Sequence, residues 1–356
     1  MEQHSTMTIG MDLGDKRSHL YVLDNQSGEE LERGDIATRQ KSVQKWFSRR
    51  EPATVVIEVG SDSGWVSRVL TELGHEVLVA DPRRVRRLAG NDDKDDALDA
   101  EFLARIGRMD RKLLKPIKLR SEPTQCALGL LRSRDELVQA RTKLINHVRG
   151  AVKTLGVRLP NSSTESFHKL QAQIPQQLRE SLSAVIICIE SLTEQIRCCE
   201  RLIEQKCERE YPQTELFRQV AGVGAITALA FALVIEEPSR FSRSRTVGAY
   251  LGLTRRKYKS GQSDPELRIS KRGDRLLRRL LVNSAHYILG PFGPDSDLRR
   301  WGLKYAAGGG KNAKKRAVVA VARKLAVLLH RLWTTGEQYE PLRNNSRTPQ
   351  GAAEAV

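Results

Sequence analysis

Two sets of polar residues in this chain have types and spacings suited to phosphodiester chemistry. The first is acidic: Asp12, Glu58, Asp96 and Asp99. Hard divalent cations bind carboxylate oxygens, and a cation pair polarises a phosphate while stabilising the attacking and leaving oxygens. Glu58 interrupts the apolar run Val55-Val56-Ile57-Glu58-Val59, a costly place for a charge without a cation. Asp96 and Asp99 share one face if their segment is helical. The aspartates also have plainer readings, which Glu58 resists. Asp12 fits a turn, and Asp92, Asp93, Asp95, Asp96 and Asp99 fit a solvated helix start, where the dipole favours anions. Asp92 and Asp95 are alternatives to Asp96 as the third acid. The second set is Tyr258-Lys259-Ser260-Gly261. A serine hydroxyl becomes a nucleophile only when a base or metal activates it. Gly261 lets the backbone approach a phosphate, and Arg255, Arg256, Lys257 and Lys259 would neutralise phosphates. A Ser-Gly in a basic loop is otherwise an ordinary turn, and Ser263 and Ser270 compete with Ser260.

The elements that must position these groups follow from periodicity. Residues 7–110 read as an α/β domain. Met7–Asp12 and His19–Asp24 are expected as a hairpin, with Glu30–Ala37 as an edge strand. Thr54–Val59 and Glu76–Ala80 are short apolar runs typical of buried strands, the second stopped by Asp81-Pro82. Lys41–Ser48, Gly64–Leu73 and Asp96–Arg108 read as helices. Three meandering strands followed by strand–helix units is the order of a ribonuclease H-like fold. Residues 122–210 read as two long helices. Leu137, Leu144, Val148, Ala151 and Leu155 form the seam of the first. Leu182, Val185, Ile189, Leu192, Ile196, Cys199 and Ile203 form that of the second. Such a heptad pattern predicts either a helical hairpin or a coiled-coil dimer. Residues 215–342 read as a mainly helical basic domain. It has an apolar helix to about Ile235, helices over Phe241–Leu251, Asp274–Leu289 and Asn312–Trp333, and an exposed turn or hairpin over Arg255–Ile269. Residues 343–356 have the composition of a disordered tail.

The net charge is +17, distributed unevenly: −5 over residues 1–110, +5 over 111–239 and +17 over 240–356. A basic C-terminal third beside an acidic N-terminal third suits a polyanion partner and a cation site. Arg83, Arg84, Arg86 and Arg87 form a basic run, read either as a solvated loop or as a nucleic-acid contact. Gly222 and Gly224, in Gly222-Val223-Gly224 before a helix, would offer backbone N–H groups to a phosphate. Lys271 and Arg272 would grip backbone phosphates, with Ser270 as a cap of the following helix. The five cysteines contain no Cys-x-x-Cys pair, so reduced thiols acting as small core residues are expected. The histidines show no ligand spacing. No run of 18 apolar residues exists and Met1–Thr6 lacks a signal-peptide core, so no membrane partner is expected.

With those residues in view, the chain resembles the DEDD transposases of insertion-sequence family 110, including its 1111 subgroup. The resemblance runs from about residue 7 to 340. It is carried by Gly10-Met11-Asp12, by Val56-Ile57-Glu58-Val59-Gly60 and by Lys94-Asp95-Asp96-Ala97-Leu98-Asp99-Ala100. Leu131–Leu137 and Arg141–Asn146 carry it through the middle. Ala249-Tyr250-Leu251-Gly252-Leu253, Tyr258-Lys259-Ser260-Gly261 and Ile269–Asp274 carry it to the C-terminal part. Asp95 stands where the family has Thr. The resemblance implies a RuvC-like domain holding the four acids with Mg2+ or Mn2+, a coiled-coil segment and a transposase domain with Ser260 as nucleophile. It also implies double-stranded donor and target DNA, an element-encoded guide (bridge) RNA, and a dimer or tetramer with a composite active site. A cytoplasmic, nucleoid-associated bacterial protein is expected. Two rivals stay open: a RuvC-type endonuclease using metal-activated water, and a non-catalytic nucleic-acid-binding protein.

Overall fold

The computed structural model describes residues 5–89, 96–256, 258, 263, 265, 267–310 and 312–343, with the side chains of 89, 96 and 97 outside the description. The chain divides into two compact units, Met1–Glu122 and Pro123–Val356.

The first unit contains β1 (Met7–Asp12), β2 (Arg17–Asp24), β3 (Glu30–Ala37), α1 (Gln40–Phe47), β4 (Thr54–Glu58), α2 (Ser63–Glu72), β5 (Glu76–Ala80), α3 (Pro82–Ala89), α4 (Asp96–Met109) and α5 (Arg111–Leu114). The strands form one sheet in the order β3-β2-β1-β4-β5. β1, β2 and β3 pair antiparallel, whereas β4 runs parallel to β1 and β5 parallel to β4. This is the ribonuclease H-like topology expected from the sequence. Strand alternation divides the apolar residues between two faces. Ile9, Met11, Val55 and Ile57 pack with Val43, Phe47, Val66 and Leu70 of α1 and α2. Val56, Leu78 and Ala80 pack with Leu103 and Ile106 of α4 on the other side. Val55, Val56 and Ile57 are fully buried, each burial being worth about 1.5–3 kcal/mol.

Small residues decide how closely α4 crosses the sheet. A Cβ on Gly10 would lie 1.9 Å from the Ala100 carbonyl oxygen, and one on Gly107 would lie 2.4 Å from Val56. Ala100 and Ala104 sit over Gly10 while Gly107 sits over Val56 and Thr8. Passing along α4 therefore retraces β1 backwards, and the acidic first turn of α4 lies toward the Asp12 end of the strand. The basic run at 83–87, for which a solvated loop was one of two readings, lies in the helix α3. Pro82 opens it, and the Asp81 carboxylate accepts from the Arg83 N–H at 2.9 Å.

The second unit contains α6 (Glu122–Thr154), a 3-10 segment (Phe167–Gln173), α7 (Gln176–Arg209), α8 (Thr214–Arg218), α9 (Ala225–Ile235), α10 (Val247–Tyr250), α11 (Arg275–Leu289), α12 (Asp297–Ala307) and α13 (Ala313–Thr335). α6 and α7 form an intramolecular hairpin. Arg134 pairs with Glu200, and Arg141 donates to the Thr193 hydroxyl at 3.2 Å. Those two pairs fix one antiparallel register, which sets Ile145 opposite Ile189, Val148 opposite Ile186 and Val152 opposite Leu182. All six are buried in one cluster, with Leu159, Phe167 and Ile174 filling the tip. The buried stripe differs from the expected seams. Ile186 and Thr193 replace Val185 and Leu192 at its centre, and Leu155 is exposed. At its base the hairpin joins the main core: Ala127, Leu131, Ile203 and Cys207 pack with α9. α9 is apolar all round and buried along most of its length, in contact with α7, α8 and α11. Two expectations need correction here. Residues 241–251 hold a 3-10 turn and the short α10 rather than one helix, and α12 was not expected at all. Only Cys207 of the five free thiols is buried, and Cys126 and Cys188 are exposed. The tail at 344–356 lies outside the described residues.

Candidate active site and nucleic-acid surfaces

In the first unit, the pairing of Met11 with Ile57 makes Asp12 and Glu58 neighbours at the C-terminal ends of two adjacent parallel strands. That end of an open α/β sheet is where ligands are ordinarily met. Glu58 is half-buried, and its carboxyl is held above the usual carboxylate range. Burial is the main cause, followed by repulsion from Asp12 and, more weakly, from Asp99 and Asp81. Arg86 of α3 opposes the shift. The arrangement is a concentration of negative charge on rigid elements, which a divalent cation would relieve. Its donor set is the hard oxygen set that Mg2+ or Mn2+ prefers. Among the described residues, however, no three His, Cys, Asp or Glu side chains close to ligand distance on one point. Asp12, Glu58 and Asp99 thus sense one another without forming a finished cage. Asp96 opens α4 with a side chain outside the description, and Asp92 and Asp95 lie outside it altogether.

Sequence reasoning missed Asp81 and Arg86 as members of this neighbourhood. Asp81 was read only as a strand stop, and Arg86 only as one of a basic run. The helical form of 82–89 is what separates Arg86, acting on Glu58, from the other arginines.

In the second unit, Ser260 with Lys257, Lys259 and Gly261 lies outside the described residues. The stems on either side are described. Arg255 bridges Ile269 antiparallel, the Arg256 N–H donates to Arg268 O at 3.1 Å, and the Ser270 N–H donates to Thr254 O at 2.8 Å. The expected hairpin therefore exists at its base. It is anchored backbone against backbone. Gly252 (φ +70°) would set a Cβ 2.1 Å from Arg272 O, and Gly273 (φ +78°) would set one 2.2 Å from Tyr250 O. Arg278 ties the knot by donating to Leu251 O at 3.2 Å and Arg272 O at 2.9 Å. Lys271 and Arg272 are exposed at this anchor. Ser270 does not cap α11. Asp274 does, accepting from the Leu277 N–H at 2.9 Å, because it stands at the N-cap with extended backbone.

Gly222-Val223-Gly224 forms the turn between α8 and α9. Gly222 has φ +88°, and a Cβ there would meet the Tyr287 ring at 2.9 Å. Gly224 is the exposed N-cap of α9. An open cleft of about 450 Å³ lies over this turn, lined also by Arg218, Asn283 and Tyr287. Leu280 and Asn283 also line a second cleft against α6, where Lys143, Asn146 and Arg279 stand. Leu280 and Asn283 of α11 thus border both clefts. Of the histidines, His75 and His330 are structural, as expected. His330 bridges the Ser244 hydroxyl and Pro238 O at 3.0 Å each.

Comparison with known proteins adds the following. A DEDD transposase model of the IS110 group, described as "Transposase", matches residues 9–156. A second model, "Transposase IS116/IS110/IS902 family", matches residues 214–296. The "Probable family 20 transposase" of Pseudomonas aeruginosa is 28% identical over 94% of this chain and 98% of its own. The transposase for insertion sequence element IS1328 of Yersinia enterocolitica is 29% identical over 79% of this chain and 83% of its own. That for IS1111A of Coxiella burnetii is 27% identical over 80% and 79%. Among solved structures, Thermus thermophilus RuvC matches 29% of this chain and 96% of its own, at 18% identity and a TM-score of 0.24.

Proposed function

Because this chain belongs to the IS110 family of transposases, we propose that it cuts and rejoins DNA through a serine–phosphate intermediate on Ser260. In this reading Ser260 Oγ attacks a backbone phosphorus. The Oγ–P bond forms, the P–O3′ bond breaks, and the hydroxyl proton ends on the freed 3′ oxygen. A 3′-hydroxyl from another strand reverses the step and releases the serine. One phosphodiester is exchanged for another through a phosphoserine, so no external energy source is needed. Arg255, Arg256, Lys257 and Lys259 hold the phosphate charge around the serine. Asp12, Glu58, Asp96 and Asp99 would hold the divalent cation. When bound, it supplies Lewis-acid stabilisation of charge on the phosphate and assists ionisation of the serine hydroxyl.

The observation that most supports the metal half is the pairing of Asp12 and Glu58 at adjacent strand ends, with Glu58 repelled by its neighbours. The backbone-locked base of the 255–269 hairpin supports the serine half, since a nucleophile must be carried on a rigid support. Donor and target DNA are the substrates in this reading, and an element-encoded guide RNA selects them. The basic surfaces of the second unit, with Lys271, Arg272 and the Gly222–Gly224 turn, grip phosphates. Arg83, Arg84 and Arg87 add a further basic face on the first unit. Oligomerisation would bring the acids of one subunit to the serine of another. No helix among the described residues is long and apolar enough to cross a membrane. The test is mutational. Ser260→Ala and Asp12→Ala should each abolish strand exchange. Retention of cleavage by Ser260→Ala would favour a water-using endonuclease.

A further inference from the structure

We propose that the cleft between the end of α12 and the start of α13 holds an unpaired nucleobase of a single-stranded nucleic acid, with its phosphate on the adjoining basic side chains. The inference rests on the nucleic-acid reading above and adds a ligand site to it. Trp301 and Tyr305 stand one turn apart on α12. Their rings are nearly parallel, with centroids 5.5 Å apart and 16° between planes. Lys324 of α13 sets its Nζ 4.1 Å from the centre of the Trp301 ring. The pair is thus a flat π ledge backed by a cation.

The ledge faces an open cleft of about 480 Å³, which Lys304, Ala313 and Arg316 also line. Its existence follows from the helix crossing. α12 meets α13 at Gly302, where a Cβ would lie 2.5 Å from Val321 and 2.7 Å from Leu289. Beyond that crossing Gly308 and Gly309, the second at positive φ, carry the chain away from α12 along one wall of the cleft. An aromatic pair serving only the core would be covered. Here Trp301 is half-buried, and Tyr305 is 48% exposed. Aromatic faces beside cations are what an unpaired base and its phosphate require, and stacking tolerates any base. A duplex keeps its bases stacked inside and offers such a ledge only phosphates. The charge of the region agrees, since residues 240–356 carry +17.

The test uses the full-length protein and three labelled probes of equal length: oligo(dT), oligo(U) and a DNA duplex. Affinity is read by fluorescence anisotropy at one salt concentration. Tyr305→Ala should weaken the tighter-bound single strand at least about fivefold, the scale of one lost stack, and leave the duplex unchanged. Tyr305→Phe, which keeps the ring, should bind like the wild type. Strands carrying 5-iodouracil should photocrosslink to a peptide containing Trp301 or Tyr305. The sugar of the strand that responds to Tyr305→Ala identifies DNA or RNA as the source of the base. Equal losses for strand and duplex, or no loss and crosslinks elsewhere, would overturn the ledge while leaving the nucleic-acid reading intact. Failure of the wild type to bind any of the three probes would overturn both.

Discussion

Glu58 bears the electrostatic cost of the acidic site. Its carboxylate is half-buried and faces Asp12 and Asp99, so the folded protein holds it above its ordinary range. Neutralising that charge should relieve the fold even as it removes the chemistry. Asp12→Asn and Glu58→Gln are each expected to melt higher than the wild type in a chelating buffer. Mg2+ should raise the wild-type Tm but not theirs. DNA cleavage should fall by more than about a hundredfold, beyond the cost of losing an outer partner of a metal ligand. His75 gives a pH dependence of known sign. Its ring is buried, accepts from the Ala53 N–H at Nδ1 and faces Phe47 O through Nε2, and burial lowers its pKa. The unfolded ring takes a proton below about pH 6.5 while the folded ring resists it. Stability should therefore be full above that pH and decline as pH falls toward the lower folded value. Thermal melts across pH 5–8 should show a shallower slope for His75→Gln. At this scale Glu58 was legible because a charge inside a β-branched run has no bland explanation. Arg86 was not, since its place depends on a helix that the composition of 83–87 does not announce, and Asp81 was not, since it comes near Glu58 only through the pairing of Glu58 with Ala80 across β4 and β5.

At the scale of elements, packing of glycine on alanine aims the site. Gly10 and Gly107 let α4 lie against β1 and β4, which directs the Asp96 and Asp99 end of the helix toward Asp12. Gly10→Ala should push α4 outward, at a cost of about 1–3 kcal/mol and a fall in Tm of several degrees. Cleavage should drop with it although no acid is altered. A Gly10→Ala protein with wild-type Tm and cleavage would contradict the account. The strands and most helices were readable from alternation and periodicity. The stripe inside the α6–α7 hairpin was not, because it runs through the polar pair Arg141 and Thr193, which a count of apolar residues passes over. α12 escaped notice because only Leu298 and Gly302 along it are buried, too few for a visible apolar period.

For the whole molecule, the separation of charge is the dominant physical fact: an acidic N-terminal region and a C-terminal third at +17. Binding to DNA should weaken steeply with salt, because each neutralised phosphate releases about one counterion. Lys271→Ala and Arg272→Ala should each reduce the logarithmic salt slope by about one and weaken all duplex sequences alike. Unchanged slopes would remove those residues from the interface. The family could be read from motifs spread along the chain, since their order is specific even where each alone is weak. In the proposed reading the acids and the serine would be joined by the meeting of two surfaces, which one chain's sequence does not write. The most direct test of the central claim is a search for the covalent intermediate. Purified protein, RNA transcribed from the flanks of its gene, Mg2+ and end-labelled donor and target DNA are combined and resolved on a denaturing gel. A protein-sized shift of the label, lost with Ser260→Ala and with Asp12→Ala, is the predicted result. Cleaved DNA with no adduct and no dependence on Ser260 would contradict it.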